Sequence, residues 1–143
     1  MNPGALGRVL AGIVGERQVL GRASELLVYA SDGLPGYRKQ PALAVFPRTR
    51  EEVVLVVRAL AEAGVPFVPR GAGTGLSGGA LAEGSVLLGL NRLTRILSVD
   101  AENRLAVVEP GVVNVHLTRA VAPYGLHYAP DPSSQAACTI GGN

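Results

Sequence analysis

The residues best suited to chemistry in this 143-residue chain lie in one stretch, Pro69-Arg70-Gly71-Ala72-Gly73-Thr74-Gly75-Leu76-Ser77-Gly78-Gly79. Five of the eleven are glycine. Glycine has no side chain to pack and loses much backbone entropy on folding, so such a cluster points to a backbone that takes positive φ and approaches a ligand closely. Gly73 or Gly75 is expected to do so. Successive N–H groups in such a loop converge on an anion, and a phosphate or diphosphate is the natural one. Arg70 would add a fixed positive charge at the entrance. The plainer alternative is a tight surface loop, but a single turn rarely needs more than about two glycines.

Gly73-Thr74-Gly75-Leu76-Ser77-Gly78 spells G-x-G-x-x-G, which marks a dinucleotide fold only between a strand and a helix. A strand is expected before it, at Val65–Val68. No helix can follow, because Gly78, Gly79, Gly84 and Ser85 interrupt the chain and a new apolar run begins at Val86. A Rossmann unit is therefore disfavoured, since a parallel crossover usually carries a helix. A Walker A loop fails for want of Gly-Lys-Ser/Thr.

A second candidate lies at the far end: Pro130-Asp131-Pro132-Ser133-Ser134, then Thr139-Ile140-Gly141-Gly142-Asn143. It combines hydroxyls with a glycine pair. The sequence stops inside this element and reads as the front of a longer domain. Asp131, between two prolines, reads as a turn residue rather than a general base. Cys138 reads as a small packing side chain. His116 is expected on an exposed helix turn and His127 in a loop. These two and Cys138 lack metal-ligand spacing, and no Ser-His-Asp set is visible. No residue is assigned a catalytic role and none a metal.

Composition narrows the class. One cysteine excludes an internal disulfide framework and fits a reducing compartment. Thirteen basic residues against eleven acidic ones, scattered along the chain, argue against a nucleic-acid partner. All the basic residues but Lys39 are arginine. The longest aliphatic run, Val53–Val57, is too short to span a bilayer, and no signal-peptide pattern opens the chain. Yet 48% of the residues are hydrophobic, so the apolar excess must enter a core or a covered surface.

The elements that must position the two stretches can be read in order. Leu6, Val9, Leu10 and Ile13 share one face of a short helix from Pro3 to Ile13. Ser24 would cap a second short helix, Glu25–Ala30. Asp32–Gly36 is turn chemistry. Ala42–Phe46 reads as a buried strand. Thr49-Arg50-Glu51-Glu52 is a capping box, opening a helix whose apolar face is Val53, Val56, Val57, Leu60 and Ala61, with Gly64 as its stop. A strand at 65–69, the glycine loop and a strand at 86–90 complete a small α/β unit. Strands at 96–99 and 105–108 are spaced for a hairpin. Asn114 would cap a last helix bearing Leu117, Ala120 and Val121.

The two stretches, about sixty residues apart and in this order, resemble the two flavin-binding signatures of FAD-linked oxidases of the vanillyl-alcohol oxidase type, with a PCMH-type FAD-binding domain. The similarity runs from about Tyr37 onward and is strongest to the glycolate oxidase FAD-linked D-subunit branch, related to D-lactate and D-2-hydroxyglutarate dehydrogenases. The resemblance implies an α/β (α+β) fold: a small α/β lobe, then the start of a mostly antiparallel second lobe, with FAD between them. It divides the chain into an N-terminal helical segment, 1–36, and the front of the FAD domain, 37–143, without the substrate cap. It implies cofactor contacts from Pro69, Arg70, Gly71, Ala72, Gly73, Thr74, Gly75, Leu76, Ser77 and Gly79. In the second stretch they would come from Pro130, Asp131, Ser133, Ser134, Thr139, Gly141, Gly142 and Asn143. Some relatives attach FAD through a histidine in the first loop. Thr74 stands at the matching place, so the FAD should be non-covalent.

The implied activity is oxidation of a 2-hydroxy acid, glycolate above all, by hydride transfer from the α-carbon to flavin N5. The implied partners are a second flavin-type subunit and an iron–sulfur subunit. The implied setting is the cytoplasm, with those subunits able to hold the protein at the inner face of the cell membrane. A different class of reading is a non-catalytic FAD- or nucleotide-binding module completed by a partner subunit. This piece alone is expected to be inactive, its hairpin strands lacking sheet neighbours.

Overall fold

The computed structural model describes residues 3–143. The elements in order are helix α1 (Pro3–Val14), strand β1 (Val19–Leu20), helix α2 (Ala23–Leu26), strand β2 (Leu43–Val45), helix α3 (Arg50–Glu62), strands β3 (Phe67–Arg70), β4 (Val86–Gly89), β5 (Ile96–Asp100) and β6 (Leu105–Val108), and helix α4 (Asn114–Val121).

The first lobe is a four-stranded sheet in the order β1-β2-β4-β3. β2, β4 and β3 run parallel, and β1 closes one edge antiparallel to β2. Both faces of the central strands are covered, which is why β2 and β4 are unbroken apolar runs rather than alternating ones. On one face Leu43, Val45, Val86 and Leu88 pack against Leu6, Leu10 and Val14 of α1 and Val56 and Leu60 of α3. On the other, Ala44, Phe46 and Leu87 meet Leu26 and Ala82. Leu60 is wholly buried, and trimming such a side chain to alanine costs about 2–5 kcal/mol.

Local chemistry starts and stops the long helix. The Thr49 hydroxyl accepts the Glu52 N–H at 3.1 Å, and the Glu52 carboxylate reaches back to the Arg48 N–H at 2.7 Å. Gly64, at φ 63°, follows the last turn. The buried stripe differs slightly from expectation. Ala61 is exposed and Ala59 packs in its stead; on α1, Val9 is exposed and Val14 is buried. Ser24 lies inside α2, whose cap is Arg22.

The crossover from β3 to β4 is the feature that makes the site. Residues 71–85 connect two adjacent parallel strands with no helix at all. The glycine-rich loop is itself the crossover.

The second lobe is the β5–β6 hairpin, a two-stranded antiparallel sheet, with α4 across it. Val112, Leu117 and Val121 pack with Ile96, Val99, Ala106 and Val108. The other face of the hairpin leaves Leu97, Leu105 and Val107 exposed. In the turn, the Asp100 carboxylate accepts the Asn103 N–H at 3.0 Å and its side-chain amide at 2.8 Å, and Arg104 takes φ 56°. At the open end, Glu109 is buried and accepts three hydrogen bonds from Arg95: the backbone N–H at 2.7 Å, Nε at 3.0 Å and Nη2 at 2.7 Å. No helix among the described residues is long and apolar enough to cross a membrane.

Candidate functional site

The glycine crossover of the first lobe and the 130–143 segment of the second face each other across a cleft of about 860 Å³. From the first stretch, residues 69–77 and Gly79 line it; from the second, Pro130, Asp131, Ser133, Ser134, Thr139, Gly142 and Asn143 do. Of the expected contacts only Gly141 stands apart. Its N–H donates to the Pro110 carbonyl at 2.9 Å and it backs onto that proline. Ala80, Pro132 and Cys138 also line the cleft, with the Cys138 side chain buried as packing.

The two stretches touch at one point. A Cβ on Gly71 would run into the Thr139 hydroxyl. Glycine is needed there because the second lobe occupies the space. Thr139 is 5% exposed and its Oγ1 has no hydrogen-bond partner, an arrangement that leaves a desolvated polar atom needing a partner.

The loop's interior is filled by Arg70. Arg70 is among the residues that line the cleft, and its guanidinium is tied to the backbone around it. It folds inward, and Nη1 donates to the carbonyls of Ser31 (2.9 Å), Tyr29 (3.3 Å) and Ala80 (3.4 Å). Its carbon lies 5.9 Å from the centroid of the Tyr29 ring. Burial lowers the Arg70 pKa from arginine's ordinary value, with Asp32 and Tyr29 pulling it the other way. Gly73 takes φ 72°, and a Cβ there would run into this guanidinium. Gly75 has no positive φ and open space around its Cα, so of the two glycines expected to be strained it is Gly73 that is.

Asp32 is the partner that local reading misses. One carboxylate oxygen closes its own turn on the Leu34 N–H (2.9 Å), while the other accepts the Gly78 N–H (3.0 Å). Next to it the Gly33 N–H donates to the Gly75 carbonyl at 2.9 Å. The turn chemistry of Asp32–Gly36 was visible; its attachment to a loop some forty residues on was not. Among the described residues, no protein acceptor takes the backbone N–H of any residue from Ala72 to Ser77. Those amides are available to a ligand in the cleft.

The second stretch is tied to α4. The Asn114 N–H donates to the Cys138 carbonyl (3.0 Å) and the Val115 N–H to that of Gln135 (3.1 Å). The Ile140 N–H donates to the Val112 carbonyl at 2.9 Å. Asn114 was expected to cap the helix. The cap is Val113; Asn114 is the first helical residue, 1% exposed, and its side-chain amide donates to the Pro130 carbonyl at 2.9 Å. A capping position and a first-turn position differ by one residue, which sequence pattern does not resolve. His116 is exposed on α4 and His127 in a loop, and among the described residues no group of three His, Cys, Asp or Glu could hold a metal ion.

Free amides, an orphaned buried hydroxyl and two glycines, Gly71 and Gly73, that leave no room for a side chain suit a diphosphate-bearing nucleotide. Comparison with known proteins agrees. The FAD binding domain family matches residues 41–143. Glycolate oxidase subunit GlcD of Escherichia coli (strain K12) is 49% identical over 127 residues, 88% of this chain and 26% of that protein. D-2-hydroxyglutarate dehydrogenase of Stutzerimonas stutzeri (strain A1501) is 35% identical over 135 residues, 94% of this chain and 29% of that protein. The solved structure of p-cresol methylhydroxylase with substrate bound superposes with a TM-score of 0.75 at 26% identity, covering 86% of this chain and 25% of that one. The chain thus spans about a quarter of the length of the curated relatives it matches.

Proposed function

The chain belongs to the FAD-binding-domain family, and from that premise we propose that it is the cofactor-holding part of a flavin-dependent 2-hydroxy-acid oxidoreductase whose substrate is glycolate. The observation that carries the reading is the convergence of the two stretches on one cleft, with Gly71 against Thr139. The substrate class rests on the likeness to the glycolate oxidase subunit and the hydroxyglutarate dehydrogenase.

When bound, FAD supplies an acceptor for the hydride of the substrate's α-carbon. What this chain does is hold it. The amides of residues 72–77 bind the diphosphate. The hydroxyls of Ser133, Ser134 and Thr139 bind phosphate or ribitol, and Thr139 Oγ1 thereby gains its missing partner. Gly142 and Asn143 face the flavin end. Thr74 offers no nitrogen for a covalent link, so the cofactor is non-covalent. The substrate-recognising and catalytic groups belong to parts of the whole enzyme other than these residues. Partner subunits, a second flavin-type chain and an iron–sulfur chain, pass the electrons on; the setting is cytoplasmic, at the inner face of the membrane through those partners.

The test is a flavin spectrum of the full-length holo-enzyme with and without glycolate. Bleaching on addition of glycolate is expected. Bound flavin that glycolate leaves oxidised would favour a non-catalytic binding module instead. Acid precipitation should release all the flavin to the supernatant; flavin retained in the pellet would contradict the non-covalent assignment.

A further inference from the structure

We infer that Arg70 and Asp32 form a clamp that presets the glycine crossover in its binding shape, so that Arg70 is a positioning residue rather than a counter-charge for the cofactor's phosphates. The inference deepens the FAD reading and rests on it for its binding readout.

The geometry of the guanidinium carries the argument. A phosphate-binding arginine presents its fork of donors to the ligand. Here Nη1 is committed to three backbone carbonyls, of Tyr29 and Ser31 from one segment and Ala80 from the crossover itself. The charge thus sits where it ties the far end of the loop to the 29–31 segment. Asp32 completes the tie from the other side. Its second oxygen accepts the Gly78 N–H, and the Gly33 N–H donates to the Gly75 carbonyl. The loop is therefore bound at residues 75, 78 and 80 to a strap at residues 29–33, and at Gly73, which takes φ 72°, the guanidinium occupies the space a side chain would need. A loop of fifteen residues with six glycines has much entropy to lose on binding a ligand. A clamp that removes this entropy beforehand raises affinity without touching the ligand.

A counter-charge and a clamp respond oppositely to two substitutions. Arg70→Lys keeps the charge, but its shorter side chain does not carry the ammonium to where Nη1 meets the three carbonyls. Asp32→Ala removes a negative charge near the cleft, which would strengthen phosphate binding if Arg70 acted by charge. FAD is titrated into the apo-protein, and amide exchange at Gly33, Gly78 and Leu81 is followed without FAD. The clamp predicts that both variants bind FAD about tenfold or more weakly, as loss of a charge-assisted hydrogen bond implies. It also predicts faster exchange at Gly33 and Gly78 in Arg70→Lys. Arg70→Lys binding within about twofold of the parent, Asp32→Ala binding more tightly, or unchanged exchange in Arg70→Lys would each overturn it. Should Arg70→Lys fail to fold, Asp32→Ala still decides by the sign of its effect. A parent protein that bound no FAD would sink the functional reading alone, and the exchange result would still judge the clamp.

Discussion

The two segments that meet in the cleft are held by different means. The glycine crossover hangs chiefly on side chains: the Arg70 guanidinium and the Asp32 carboxylate reach it from β3 and from a strap far back in the chain, with backbone bonds from Gly33 to Gly75 and from Gly84 to Gln40 beside them. The 130–143 segment hangs on backbone. Its carbonyls at 135 and 138 accept the first free N–H groups of α4, and its N–H groups at 140 and 141 donate to the carbonyls of Val112 and Pro110. A helix start has unpaired N–H groups to give, so the second segment needs few special residues. The first has no helix to lean on, because the crossover replaced it, and must be held by particular side chains in close quarters. Point substitution should therefore damage the two segments unequally.

The largest effect is expected where the crossover meets the second lobe. Gly71→Val would drive a side chain into Thr139 and pry the two walls apart. Overpacking of this kind costs about 1–3 kcal/mol, and FAD affinity should fall further because both walls move. Gly142 is the control: it is exposed and has open space around its Cα. Gly142→Ala should leave the unfolding free energy of the apo-protein within about 0.5 kcal/mol. Equal losses of stability in the two variants, measured by denaturant unfolding, would break the contrast.

A smaller effect is expected at the second segment's main side-chain tie. Asn114→Ala removes the bond to the Pro130 carbonyl but none of the backbone bonds around it. The expected loss is about 0.5–1.5 kcal/mol, since the carbonyl of exposed Pro130 can turn to water, with protease cleavage appearing at 130–138 while the crossover stays protected. Cleavage in the crossover first would mean that the side-chain clamp is the weaker of the two anchors.

The same contrast explains what could be read from residues alone. The capping box at Thr49–Glu52, the buried runs of β2 and β4 and the hairpin spacing are local signals, and each is realised where it was expected. The glycine loop and the Ser/Thr/Gly segment stood out as candidates because few other needs concentrate such residues, and both line one cleft. What was not legible is long-range pairing. Arg70 reads as a charge beside the loop, and nothing local shows that its Nη1 also serves three carbonyls. Asp32 looks like a turn residue because it is one, and only its other oxygen does the distant work. Asn114 announces a helix start, and its burial against Pro130 depends on a fold that brings residue 130 there. The absence of a helix after the glycines was correctly seen, but the parallel pairing of β3 with β4 was not, since parallel crossovers are so commonly helical.

The smallest effect concerns acid, and it bears on the second segment alone. Arg95 holds Glu109 below the usual glutamate range, first through its side-chain hydrogen bonds and then through its backbone N–H. A carboxyl whose folded pKa is depressed stabilises the fold above its unfolded pKa and loses that contribution as pH falls through the folded value. The unfolded value is the ordinary 4.5, so the contribution is complete well above pH 4.5 and fades below it. Glu109 sits beside Pro110, whose carbonyl anchors Gly141, so this latch bears on the second wall of the cleft. Glu109→Gln should lower the unfolding free energy at neutral pH, modestly because the Arg95 side chain is exposed and solvent screens the pair. The difference from the parent should shrink as the pH is lowered from 5.5 toward 3. Asp100 also titrates low through its bonds from Asn103, but it is present in both proteins and cancels in the difference. A gap between parent and variant that stays constant across that range would show that the Glu109 carboxylate contributes by packing and not by charge, and the backbone lattice would then be the whole of what holds the second segment.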